Sequence, residues 1–218
     1  MPQLFPRAAN TVARGCILVA VSGVALTGWA GYTVWWSPYM TRVNVPLDQP
    51  VPFSHQHHVA GLGIDCRYCH TGVEKSAFAG LPPTETCMTC HSQIWRDAPI
   101  LEPVRASLRD GKPLRWTRVN DLPDFVFFNH SVHVHKGIGC VECHGPVDRM
   151  PITWRGQSLY MKWCLDCHRA PEGHLRPPEL VFDPRPTRDL TQNGTTAGFI
   201  HDRAVNKQQL EDCSICHR

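Results

Sequence analysis

From Gly15 to Trp36 the chain runs for 22 residues without a charge. At about 1.5 Å per residue, such a run crosses a bilayer as a single helix. Arg7 and Arg14 precede it, and Trp29, Tyr32, Trp35, Trp36 and Tyr39 cluster at its far end. Basic residues before an apolar run and aromatics after it predict a short cytoplasmic N-terminus (1–12), an anchor over 13–37 and an extracytoplasmic remainder. The rival reading is a cleaved secretory signal, with Gly28-Trp29-Ala30 as its cleavage site. The run is longer than the apolar core of such signals, and bulky aromatics disfavour cleavage, so a retained anchor is expected. Both readings export the rest of the chain. Cys16, inside the run, is read as a small buried side chain.

Periodicity is weak beyond the anchor. Leu101, Val104 and Leu108 fall at helical spacing between Pro99 and Asp110, with Gly111 as a stop signal, which predicts one spacer helix. Residues 169–196, rich in Pro and polar side chains, carry no period and read as an extended surface segment. The 19 Pro and 16 Gly break the remainder into short pieces.

The chemistry lies in five copies of Cys-x-x-Cys-His: Cys66, Cys69 and His70; Cys87, Cys90 and His91; Cys140, Cys143 and His144; Cys164, Cys167 and His168; Cys213, Cys216 and His217. Two thiols three residues apart can each form a thioether to one haem vinyl group, and the next His reaches the iron as proximal ligand. Zinc sites also use Cys-x-x-Cys, but zinc requires no His after every pair and would not consume ten of eleven cysteines in five identical pentads. Five covalently bound haem c groups are therefore expected. Roughly 180 residues after the anchor leave about 36 per haem, too few for a separate apolar core. The predicted fold is a multihaem cytochrome c: little regular structure, with short α-helices and loops wrapped around five haems, plus one transmembrane helix. Net charge is +3 before cofactors. Each oxidised haem contributes about −1, so the basic side chains have propionates to pair with and no nucleic-acid partner is implied.

An internal repeat organises the soluble part. Phe53-Ser54-His55-Gln56-His57-His58-Val59 leads through Gly61 and Gly63 to the first motif, and Phe128-Asn129-His130-Ser131-Val132-His133-Val134 leads through Gly137 and Gly139 to the third. From the first His of each pair to the first Cys is 11 residues in one copy and 10 in the other. The division predicted is a first dihaem module (38–98), a connecting segment (99–127), a second dihaem module (128–170), and an extended segment with the fifth haem (171–218).

Axial ligation decides whether a haem conducts electrons or binds substrate. Residues three apart on a helical turn share a face, so His55 with His58, and His130 with His133, can each ligate two different haems. His57 and His135 then point elsewhere. For the fifth distal position Met161, three residues before Cys164, competes with His174 and His201.

With these residues placed, the chain resembles the pentahaem cytochrome subunit of alternative complex III. The resemblance rests on Phe5-Pro6-Arg7-Ala8-Ala9-Asn10, Gln49-Pro50-Val51-Pro52-Phe53-Ser54-His55, Gly61 to His70, Leu122-Pro123-Asp124-Phe125 and Trp163 to Arg169. It spans nearly the whole chain, His135 being a departure, and there is a looser likeness to class III multihaem cytochromes. The resemblance implies an electron-transfer wire on the outer side of the cytoplasmic membrane, non-catalytic alone. Its implied partners are an iron–sulfur subunit, integral membrane quinol-binding subunits, and a monohaem cytochrome or soluble acceptor. The alternative is a self-sufficient membrane-anchored quinol dehydrogenase feeding periplasmic reductases; that family places Met where Gly72 stands here. A catalytic reductase with an open iron would need a haem without a distal ligand.

Overall fold

In the computed structural model, the described residues are 5–192 and 206–217. The chain divides into two units, Met1–Arg42 and Val43–Arg218. The first is built on a helix, Ala9–Trp35, of 27 residues and mean hydropathy 1.6, none of them buried. It begins before the uncharged run because backbone hydrogen bonding does not stop at Arg14; Ala9 already donates to the Pro6 carbonyl. It ends ahead of Pro38, whose ring holds Ser37 in extended backbone (ψ 160°).

The second unit has short helices and, among the described residues, no strand, only isolated bridges such as Val43 with Arg155 and Pro46 with Trp154. Its apolar interior is sparse: eight apolar side chains are buried among the described residues. A polypeptide with so little interior of its own has space for prosthetic groups to form the core.

Among the described residues there is one conventional cluster. Val51, Leu101 and Val104 pack with Cys87, Met88, Ala98, Leu114 and Trp116. The predicted spacer helix appears as a 3-10 turn Pro99–Leu101 followed by an α-helix Glu102–Asp110, closed by Gly111 at φ 62°. It packs on the helix Thr84–His91 that carries the second motif, with Thr84 Oγ1 2.7 Å from Ser107 Oγ.

The reading of 169–196 as an extended surface segment is corrected over its described part. Residues 171–192 form 3-10 turns Pro171–His174 and Pro178–Leu180 and a helix Thr187–Gln192, and Arg176, Val181, Thr187 and Leu190 there are among the most buried side chains of the protein. Arg176 is the reason. Its guanidinium, fully buried, donates to Glu142 Oε1 (3.1 Å), Thr187 Oγ1 (2.7 Å) and the carbonyls of Leu180 and Asp183. A side-chain Cβ at Gly139 would collide with that guanidinium, so the close approach requires glycine there.

The two paired-His turns differ by one residue, and the backbone absorbs it. His130–His135 is an α-helix, whereas Gln56–Gly61 is a π-helical turn with His55 at its cap. Ile64 N–H reaches back six residues to the His58 carbonyl, while Ile138 N–H reaches back five to His133. A π-turn is a one-residue insertion in a helix, which accounts for the spacings of 11 and 10. The glycines that correspond are Gly63 (φ 68°) and Gly137 (φ 88°), not Gly61 with Gly137.

Candidate haem centres

Each Cys pair lies within one helical turn, which puts both thiols on one face. Asp65 and Asp212 cap two of these turns, their carboxylates accepting the N–H of Arg67 and Ser214 at 2.8 Å.

Four of the five motif histidines face a second imidazole. His55 and His70 have ring centres 6.5 Å apart and planes 7° apart. His130 and His144 repeat this at 6.2 Å and 9°, His133 and His168 at 6.3 Å and 27°, and His58 and His91 at 6.2 Å and 65°. A metal–nitrogen bond of about 2 Å on each side, added to about 1.1 Å from nitrogen to ring centre, puts two imidazole centres about 6.2 Å apart across one metal. The donor set therefore fits a six-coordinate iron between each pair.

The phenylalanine preceding each turn holds the pair in place. Phe53 stacks on His58 at 4.4 Å and meets His55 edge-on at 4.9 Å; Phe128 does the same to His133 at 4.5 Å and His130 at 4.8 Å.

Every imidazole of this set has its Nδ1 engaged, which leaves Nε2 for a metal. His58 and His133 donate to the carbonyls of Ser54 and Asn129, each at 2.8 Å. His70, His91, His168 and His217 donate to the carbonyls of Gly80, Ile94, Leu210 and Phe125. The two remaining distal candidates reach across the repeat: His130 to Ala77 O (2.7 Å) and His55 to Thr153 Oγ1 (3.1 Å). His144 Nδ1 lies 3.0 Å from Asn120 Nδ2, while Asn120 Oδ1 is buried without a partner. A half-turn of that carboxamide lets Oδ1 accept from His144 Nδ1–H, the tautomer in which Nε2 binds metal.

Burial pushes His55 down to about 4, assisted by His70 and His58. It pushes His144 down to about 4 as well, assisted by His130, His70 and His55, and it lowers His133. The neutral imidazole so favoured is the metal-binding form.

The motifs do not follow one another in space as they do in sequence. Tyr68 Oη, in the first, is 2.9 Å from Thr89 Oγ1, in the second. Cys66 of the first lies against Cys140 of the third. Burial, and then Cys167 of the fourth motif, pushes Cys143 of the third up to about 12. Arg169, after the fourth, pairs with Glu211, before the fifth, at 3.1 Å. The spatial order is second, first, third, fourth, fifth.

The surroundings of the fifth motif differ. Among the described residues no second imidazole faces His217, whose ring lies 5.9 Å from that of Phe125. Met161 is 61% exposed and opens the helix Met161–Arg169 one turn before Cys164, whose thiol lies beside Cys216 of the fifth motif. His174 Nδ1 is 2.9 Å from Glu142 Oε2. His201 lies outside the described residues. His57 stacks on Trp95 at 5.9 Å. Sequence reasoning missed Asn120, Thr153, Glu142 and Arg176; their partners lie 24 to 98 residues away for the first two, and no motif flags such pairs.

Two comparisons bear on identity. The family model for cytochrome c7 and related cytochrome c matches residues 126–218. A protein of Nitratidesulfovibrio vulgaris named "Menaquinone reductase, multiheme cytochrome c subunit" is 36% identical over 162 residues, covering 65% of this chain and 76% of that protein. The chain belongs to this family of multihaem c-type cytochromes. Covalently bound haem c and electron transport follow from that membership. The thin apolar interior and the facing imidazoles of the cytochrome then have one explanation. Its eleven cysteines form no disulfide, and among the described residues no three His, Cys, Asp or Glu side chains converge as a site for a bare ion.

Proposed function

We propose that this cytochrome is the electron-conducting subunit of a membrane-bound quinol-oxidising complex of the alternative complex III type. It holds five haem c groups, on two dihaem modules (38–98 and 128–170) and a C-terminal site. The observation that carries the reading is the set of four imidazole pairs, each with the separation that one metal requires. Bound haem c supplies one-electron chemistry at iron. The protein's part is to attach each group through its Cys pair, close both faces of the iron, and exclude substrate.

The distal ligands in this reading are His55, His58, His130 and His133 for the first, second, third and fourth sites. Met161 serves the fifth, because it lies on the same helix face as Cys164, beside the fifth motif. His55 and His58 join sites one and two, and His130 and His133 join sites three and four, so three residues of sequence hold neighbouring centres close. The ends of the series are the second and fifth sites. An iron–sulfur subunit would be the donor and a monohaem cytochrome or soluble protein the acceptor. The helix Ala9–Trp35 anchors the chain in the cytoplasmic membrane with the haem unit on the outer side.

A second reading has the name of the Nitratidesulfovibrio vulgaris relative in its favour: the same series of sites would conduct toward a quinone. Purification in mild detergent decides between them. Co-isolated iron–sulfur and integral membrane subunits with quinol:acceptor turnover support the first reading; turnover only toward quinone supports the second. Robust, inhibitor-sensitive quinol oxidation by the isolated chain would overturn both in favour of a self-sufficient dehydrogenase.

A further inference from the structure

The two paired-His turns are internal copies, and they provide an internal control. In each copy the second histidine donates Nδ1–H to the carbonyl four residues back, at the same distance of 2.8 Å. In each copy the first histidine reaches into the other module. His130 finds a backbone carbonyl, that of Ala77. His55 finds the hydroxyl of Thr153. Of the nine imidazoles, seven donate to backbone carbonyls and one faces a carboxamide; His55 alone meets a hydroxyl.

The position of that hydroxyl is fixed by backbone. Leu47 N–H binds the Thr153 carbonyl, Asn44 N–H binds the Arg155 carbonyl, and Gln56 N–H, next to His55, binds the Met150 carbonyl at 3.0 Å. Residues 150–155 are thereby strapped between 43–47 and the His55 turn.

A hydroxyl is a weaker acceptor than an amide carbonyl and has a proton of its own to place. A hydrogen bond from Nδ1–H makes the imidazole a more basic ligand, and a more basic ligand favours ferric iron. We propose that Thr153 is a positioning residue that sets the donor strength of His55, and so raises the potential of the first site above what a carbonyl acceptor would give. That site is where the two modules meet, since Cys66 adjoins Cys140 and His55 and His70 adjoin His144. The proposal rests on His55 being a distal ligand.

The test is a spectroelectrochemical titration of the full-length holoprotein in detergent. Thr153→Val removes the acceptor and should shift one component, about a fifth of the haem absorbance, upward. Thr153→Asn supplies a carbonyl and should shift the same component downward, and Thr153→Ser should leave it in place. If Thr153→Val fails to assemble, the downward shift in the Asn variant beside an unchanged Ser variant carries the test. No shift with Thr153→Asn, or equal shifts of all components, would overturn the proposal. His55→Ala separates the two layers of inference. If it opens one site to carbon monoxide while Thr153→Asn changes nothing, the tuning role fails alone; if all sites stay closed, the ligand assignment fails with it.

Discussion

His55 and His70 face each other with ring planes 7° apart, whereas His58, three residues further on, meets His91 at 65°. Parallel and crossed imidazole planes split the iron d orbitals differently, so in the proposed ligation neighbouring centres built from one turn of chain would have distinct electronic character. Low-temperature EPR of the oxidised protein should resolve one strongly anisotropic low-spin signal, from the second site, beside more rhombic ones. His58→Ala should delete that signal and leave the others. Its persistence in the variant would refute the assignment of His58 to the second site.

The number of cofactors is read by mass. Intact mass spectrometry of the purified protein should give the polypeptide mass plus five haem increments. A Cys213→Ala/Cys216→Ala variant should lose one increment and only one.

Removing a distal imidazole opens one iron. His55→Ala, His58→Ala, His130→Ala and His133→Ala should each convert about a fifth of the haem to a high-spin form that binds carbon monoxide. Unmodified protein should show no such change. Four variants with fully low-spin spectra would contradict the paired-His reading.

Met161 is the partner proposed for His217. A thioether ligand holds a haem at higher potential than a second imidazole does. Met161→His should keep the site low-spin and lower one potential, while Met161→Ala should make it bind carbon monoxide. If Met161→Ala stays closed, His174→Ala is the next variant to titrate.

Arg176 and Glu142 hold residues 171–192 on the third motif. Arg176→Met takes the guanidinium from a carboxylate that is 17% exposed, and should cost about 3–5 kcal/mol, visible as a lowered thermal midpoint of the holoprotein. The same cluster predicts a pH window. Burial would raise Glu142, but hydrogen bonds from His174 and Thr187 outweigh it and hold the carboxyl at about 2. Its stabilisation is present above the ordinary carboxylate value and is lost as pH falls toward 2. His174 is raised by the same hydrogen bond to Glu142, so its contribution is full below its ordinary value and is lost as pH rises through the elevated one. Thermal midpoints taken from about pH 3 to 9 should peak between those limits. His174→Gln should flatten the alkaline side and leave the acid side sloping.

The Cys-x-x-Cys-His pentads, the long apolar helix and the duplicated Phe-x-His-x-x-His were legible in the sequence because each is local. A thiol pair on one turn, an apolar run of helix length and two imidazoles on one turn all depend on residues within a few positions or one continuous run. The one-residue mismatch between the copies was also visible, but its meaning was not; only the backbone shows it taken up as a π-turn behind His58. Which histidine faces which was beyond the sequence. His55 and His70 are 15 positions apart and His133 and His168 are 35, and only the path of the chain between them sets their separation. The spatial order of the motifs, the exchange of His55 and His130 across the modules, and the burial of Arg176 in a stretch that reads as surface were likewise decided by tertiary structure. The physical reason is common to all three. Each depends on side chains meeting partners far along the chain, and composition or periodicity records only what neighbouring residues do.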